Sequence, residues 1–212
     1  PFRMFFSKQS EGIAPITPDG TSMSGSEVVA PPVSVEIYDT TLRDGAQLEG
    51  ISLTADDKLR IAEQLDRLGV HYIEGGWPGS NPKDDEFFDR VKSELELANS
   101  RLVAFGSTRR VKGKADDDLT LQHLLAANTE VVCIVGKDSE YHVTEALRIT
   151  HDEGVAMVVD SIRFLKENGR TVFFDAEHCF DGYRENPGFS LRVLEEAAIA
   201  GADCLVLCDT NG

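Results

Sequence analysis

Carboxylates, hydroxyls and cations recur in one kind of place along these 212 residues, directly after short apolar runs. The run at 33–38 leads into Asp39-Thr40-Thr41-Leu42-Arg43-Asp44-Gly45, and the run at 70–74 ends in Glu74-Gly75-Gly76-Trp77. Runs at 102–106 and 131–135 are followed by Ser107-Thr108-Arg109-Arg110 and by Lys137-Asp138-Ser139. Those at 171–175 and 203–208 finish in Asp175-Ala176-Glu177-His178 and Asp209-Thr210-Asn211. Loops are polar in any protein, so one such cluster carries little. Six in succession, each at the end of a strand-like run, are what a site assembled from strand ends produces.

The elements that must position these groups alternate strictly from Val33 onward. Between the runs lie amphipathic stretches with clear punctuation. Thr54 with Asp57 opens a helix that stops at Gly69, and Asn81-Pro82 opens a second with Phe87, Phe88, Val91 and Leu95 on one face. Leu119, Leu121, Leu124 and Leu125 mark a third. Residues 143–168 read as a longer helical region jointed at Gly154, and Asn186-Pro187 opens the last, ending at Gly201. Six strands joined by helical crossovers imply a parallel sheet with helices outside. A doubly wound sheet with a nucleotide site needs a glycine-rich turn after its first strand, and DTTLRDG contains no GxGxxG. A (β/α)₈ TIM barrel, carried here through about six strands, fits the rim of polar strand ends better. Six strands leave the first and sixth with open edges, so residues 33–212 alone are expected to be inactive and prone to associate.

Residues 1–32 stand apart. They are rich in Ser, Gly and Pro and have no sustained period, which predicts a disordered arm. The sequence starts at Pro1, and Met23 offers an alternative start that would make the arm partly a gene-model artefact. Asp and Glu number 37 against 21 Lys and Arg, for a net charge of −16, which argues against nucleic acid and anionic membrane as partners. No apolar run approaches the roughly 20 residues of a membrane span. The four cysteines form no CxxC pair and read as buried core residues of a cytoplasmic protein.

YDTTLRDGAQ resembles the first-strand motif of the acyltransferase and lyase superfamily that contains the isopropylmalate, homocitrate and citramalate synthases and hydroxymethylglutaryl-CoA lyase. FFDAEHCFDGY and LCDTNG match its fifth- and sixth-strand blocks, and IEGGWPGSNPKDDEFF looks most like the citramalate synthase branch. The resemblance spans residues 34–212. It implies condensation of acetyl-CoA with an α-keto acid, pyruvate above all, followed by thioester hydrolysis, in isoleucine or leucine biosynthesis. The alternatives are a 2-isopropylmalate or homocitrate synthase, a lyase running the reverse direction, or a truncated chain that is catalytically incomplete.

The same resemblance implies a divalent metal (Zn, Mg or Mn) that polarises the keto group. Asp44 would be a ligand, and the remaining ligands, a His-x-His pair, are expected beyond Gly212. Arg43 would stabilise charge on the keto oxygen. Thr210 would bind the keto-acid carboxylate. Glu74 would be a catalytic acid that interacts with the arginine or the substrate, and Glu177 a carboxylate of the catalytic pocket, with a structural Glu177 paired to a rim arginine nearly as expected. Gln47 would order the first loop and Trp77 would wall the substrate pocket. Asp39 is expected to orient Arg43, and His178 to be a structural histidine with its hydrogen bonds satisfied. A homodimer is expected at full length.

Overall fold

Apolar residues two apart along each strand line one face of the sheet and their neighbours line the other. This parity builds two cores. The computed structural model describes residues 35–212, together with the backbone of Arg3–Met4 (β1) and Phe6–Ser7 (β2). The rest of the expected disordered arm, and Val33 and Ser34 of the first strand, lie outside the described residues. From there the order is β3 (Ile37–Asp39), α1 (Ala55–Leu68), β4 (Tyr72–Gly76), α2 (Pro82–Glu94), β5 (Arg101–Ser107), α3 (Leu119–Ala126) and β6 (Val131–Lys137). It continues with α4 (His151–Glu167), β7 (Thr171–Glu177), α5 (Cys179–Glu185), α6 (Pro187–Ala200) and β8 (Cys204–Leu207). β3 to β8 pair in chain order and all in parallel.

The sheet is curled. Tyr38 on β3 and Phe173 on β7 have ring centroids 6.0 Å apart although three strands separate theirs in the sheet. A flat sheet would hold them roughly 19 Å apart at ~4.8 Å per strand. The concave face carries Tyr38, Tyr72, Val103, Phe105, Cys133, Phe173 and Val206. The convex face, with Ile73, Ala104, Val132, Ile134, Val172 and Phe174, packs on the helices. This is the half-barrel that six βα units make, and it bears out the barrel reading over the doubly wound one.

Three expectations change. The edges of β3 and β8 are not bare: β1 pairs antiparallel with β3, and β2 with β8, over two residues each. The joint in the fourth helical region does not fall at Gly154, which lies inside α4 against Val143. It falls just before, where a π-helical turn His142–Ala146 ends, Arg148 takes a positive φ of 55°, and Thr150 caps α4. The sequence reading also passed over α5, a two-turn helix between the fifth strand and α6. All four cysteines are buried thiols outside any disulfide, as expected. Among the described residues no helix is long and apolar enough to cross a membrane.

Candidate active site

The turn after β3 is set locally. Asp39 accepts from the backbone N–H of Thr41 at 2.9 Å and from its hydroxyl at 3.1 Å, and the N–H groups of Arg43 and Gly45 close back onto the Thr40 carbonyl. Leu42, fully buried, anchors the turn in the outer core, so the neighbouring Arg43 projects to the concave side. Asp39 therefore folds the turn and does not orient Arg43, contrary to expectation.

Glu74 orients Arg43. The arginine Nε donates to Glu74 Oε1 at 2.5 Å, while the Tyr38 hydroxyl donates to Glu74 Oε2, also at 2.5 Å. Glu74 is wholly buried. Burial, with the Cys133 and Glu74 groups beside it, pushes the Tyr38 phenol well above its ordinary range, so it stays a donor. The guanidinium carbon of Arg43 lies 3.9 Å from the centroid of the Phe105 ring. Nη1 donates to Asp44 Oδ1 at 3.2 Å, and the buried Nη2 has no hydrogen-bond partner among the described residues. A guanidinium fixed on three sides with one N–H group unspent is built to meet an anionic oxygen.

Arg43 opens onto a cavity of about 970 Å³, which Asp44, Gln47, Trp77, Glu177 and Thr210 also line. Six of the eight residues singled out in the sequence thus meet at one cavity. Glu74 stands behind it and Asp39 beside it. Gln47 sits in a short 3₁₀ turn, its N–H closing onto the Asp44 carbonyl at 3.1 Å, consistent with an ordered first loop. Trp77 packs edge-on to Phe105, centroids 5.4 Å apart, and lines the cavity. Its backbone N–H donates to Asp84, which the buried Lys58 holds in an ion pair. Gly75 and Gly76 permit that arrangement, since a Cβ on either would fall 2.6–2.7 Å from Phe87 or Asp84.

Glu177 pairs with Lys137 at the end of β6, not with an arginine. Beside it, His178 departs from the satisfied structural histidine that was expected. Its backbone is left-handed, its ring stacks on His142, and its buried Nδ1 has no hydrogen-bond partner among the described residues. Deeper in the cavity the Cys208 thiol donates to Asp175 at 2.5 Å. Asp44 offers one carboxylate to a metal, but among the described residues no group of three or more His, Cys, Asp or Glu is placed to hold one. The donor set among the described residues is partial.

Sequence reasoning passed over Tyr38, Phe105, Lys137 and His142. Strand parity would have found the first two, because each shares its face with Glu74. Lys137 was visible at a strand end, but pairing it with Glu177 requires the register of β6 on β7. Nothing in the sequence brings His142 to His178.

The model of the family described as HMGL-like matches residues 34–212. The chain is 53% identical over 178 residues to an (R)-citramalate synthase of Geobacter sulfurreducens, covering 84% of this chain and 34% of that protein. To a 2-isopropylmalate synthase of Shouchella clausii it is 37% identical over 178 residues, covering 84% and 33%. It spans about a third of the length of these curated relatives. Among solved structures, the HMG-CoA lyase of Bacillus subtilis superposes with a TM-score of 0.60 at 19% identity, covering 78% of this chain and 54% of that one, a likeness of fold.

Proposed function

The chain belongs to the HMGL-like family, and from that premise we propose that its protein is an acyltransferase that condenses acetyl-CoA with pyruvate to give citramalate. The observation that carries the reading is Arg43, a cavity-lining residue clamped by Glu74 and Phe105, whose Nη2 has no hydrogen-bond partner among the described residues. In the reaction the acetyl methyl loses a proton, its carbon bonds to the keto carbon of pyruvate, and the keto oxygen gains a proton. Water then hydrolyses the thioester and releases CoA as the thiol. Arg43 stabilises the charge that develops on the keto oxygen, in a pocket where Glu74 and Phe105 hold it before substrate arrives. Thr210 donates to the keto-acid carboxylate, and Glu177, held by Lys137, is a catalytic acid of the same cavity. A divalent metal and acetyl-CoA belong to this reading, with Asp44 as one metal ligand and the others outside this chain.

Pyruvate is favoured over a larger keto acid by two features. Identity is higher to the citramalate synthase than to the 2-isopropylmalate synthase. Trp77 also fills one wall of the cavity. A cytoplasmic homodimer serving isoleucine biosynthesis completes the proposal. The test is thiol release by the full-length protein, with acetyl-CoA and a panel of keto acids. Pyruvate should be turned over best, and a preference for 2-oxoisovalerate or 2-oxoglutarate would transfer the protein to another branch of the family.

A further inference from the structure

His178, next to the cavity-lining Glu177, takes a conformation that costs free energy. Its φ of 61° and ψ of 30° are left-handed, a region that non-glycine residues enter at a penalty and that concentrates at functional sites. At this turn the His178 backbone N–H, in the peptide that leaves β7, donates to the Thr210 hydroxyl oxygen at 2.9 Å, across to the segment after β8. A hydroxyl that accepts there keeps its own proton free to donate elsewhere, and Thr210 lines the cavity. The surrounding backbone is already tied, since Cys208 N–H reaches the Ala176 carbonyl and Cys179 N–H reaches the Cys208 carbonyl. The Thr210 side chain is what the His178 N–H adds to these.

The imidazole explains how the strained turn is held. It stacks on His142 with centroids 4.0 Å apart and planes 10° from parallel, and both Nδ1 atoms are buried without hydrogen-bond partners among the described residues. Face-to-face packing, not a hydrogen bond at Nδ1, seats the ring. His142 is delivered by the π-helical turn after β6, an irregularity that recurs near functional sites. We infer that His178 is a positioning residue for the carboxylate end of the keto acid. Its backbone N–H, at a left-handed turn braced by the stack on His142, holds the Thr210 hydroxyl with its proton directed at the substrate. This rests on the proposed condensation, in which Thr210 meets that carboxylate.

The test compares His178→Val, His178→Asn and Thr210→Ala in the full-length protein. A β-branched residue resists the left-handed region, whereas Asn tolerates it. His178→Val should raise KM for pyruvate about five- to tenfold, the scale of one lost orienting hydrogen bond, and leave KM for acetyl-CoA within about twofold. His178→Asn should recover most of the loss. In the Thr210→Ala background, His178→Val should add nothing, because the group through which it acts is gone. Calorimetric titration with pyruvate supplies the same comparison without turnover, and circular dichroism verifies that each variant is folded. Equal effects on both substrates, additivity with Thr210→Ala, or an Asn variant as impaired as the Val variant would overturn the inference. So would a His178→Val variant that does not fold, if Thr210→Ala then binds pyruvate as wild type does. A wild-type protein that neither binds nor turns over pyruvate refutes the condensation as well, whereas one that does both isolates a failure to His178.

Discussion

Replacing Arg43 by Met should damage stability and catalysis by separable amounts. Glu74 is wholly buried, and its two oxygens are held by Arg43 and Tyr38. Removing the arginine takes from that buried carboxylate the cation it pairs with at 2.5 Å, and breaking such a pair costs about 3–5 kcal/mol, a large share of the ~5–15 kcal/mol that holds a typical domain together. Tyr38 still donates to it, so the lower end of that range is expected. Adding Glu74→Gln removes the stranded charge and keeps an acceptor for the Tyr38 hydroxyl, so the double variant should regain half or more of the loss. Catalysis should not follow. Losing a preorganised charge at the developing oxyanion lowers kcat by about a hundred- to a thousandfold, and Gln at position 74 does nothing to restore it. Arg43→Lys should fail similarly, because one ammonium cannot meet both Glu74 and the substrate. Urea unfolding and thiol-release kinetics on the single and double variants give the two readouts. An Arg43→Met variant within about 1 kcal/mol of wild type would show that Glu74 is not stranded. Recovery of turnover in the double variant would refute the role given to Arg43.

Three further outcomes are expected. Asp44→Ala should abolish turnover while leaving the fold and melting temperature nearly unchanged, since the side chain is about a third exposed and its ion pair with Arg43 is 3.2 Å long; activity regained when metal is added back to chelator-treated variant would count against a ligand role. Trp77→Ala should raise kcat/KM for 2-oxobutanoate or 2-oxoisovalerate relative to pyruvate, and unchanged selectivity in a folded variant would remove Trp77 from the wall. Burial raises the Asp138 carboxyl from its ordinary 3.8 to about 6, with the Ser190 hydroxyl acting the other way. Between those values the folded state keeps a proton that the unfolded state has released, so this group's contribution to stability falls as pH rises through the window. Asp138→Asn should therefore stabilise the protein at pH 7–8 by on the order of 2 kcal/mol, with the gain fading towards pH 4, and a gain independent of pH would refute the assignment.

The sequence by itself determined the elements and the rim. Strand parity and helix caps are local properties, so Thr54, Asn81 and Asn186 mark helix starts where the structure has them. Polar residues at strand ends mark the cavity for the same reason, because parallel strands point their ends the same way. Partnership was legible only in part. The sequence placed Arg43, Glu74 and Glu177 at the site and offered Glu74 as a partner for the arginine or the substrate, yet it set Asp39 to orient Arg43 and offered an arginine as the alternative partner for Glu177. Those choices depend on sheet register and curl, which set Glu74 beside Arg43 and Lys137 beside Glu177. The same curl brings Phe105 under the guanidinium. The left-handed turn at His178 was hidden more deeply, since the ring that braces it comes from an irregular turn 36 residues earlier in the chain (178 against 142). Contacts of that kind follow from the closing of the sheet, where side chains distant in sequence compete for one surface, and no local pattern of residues encodes the winner.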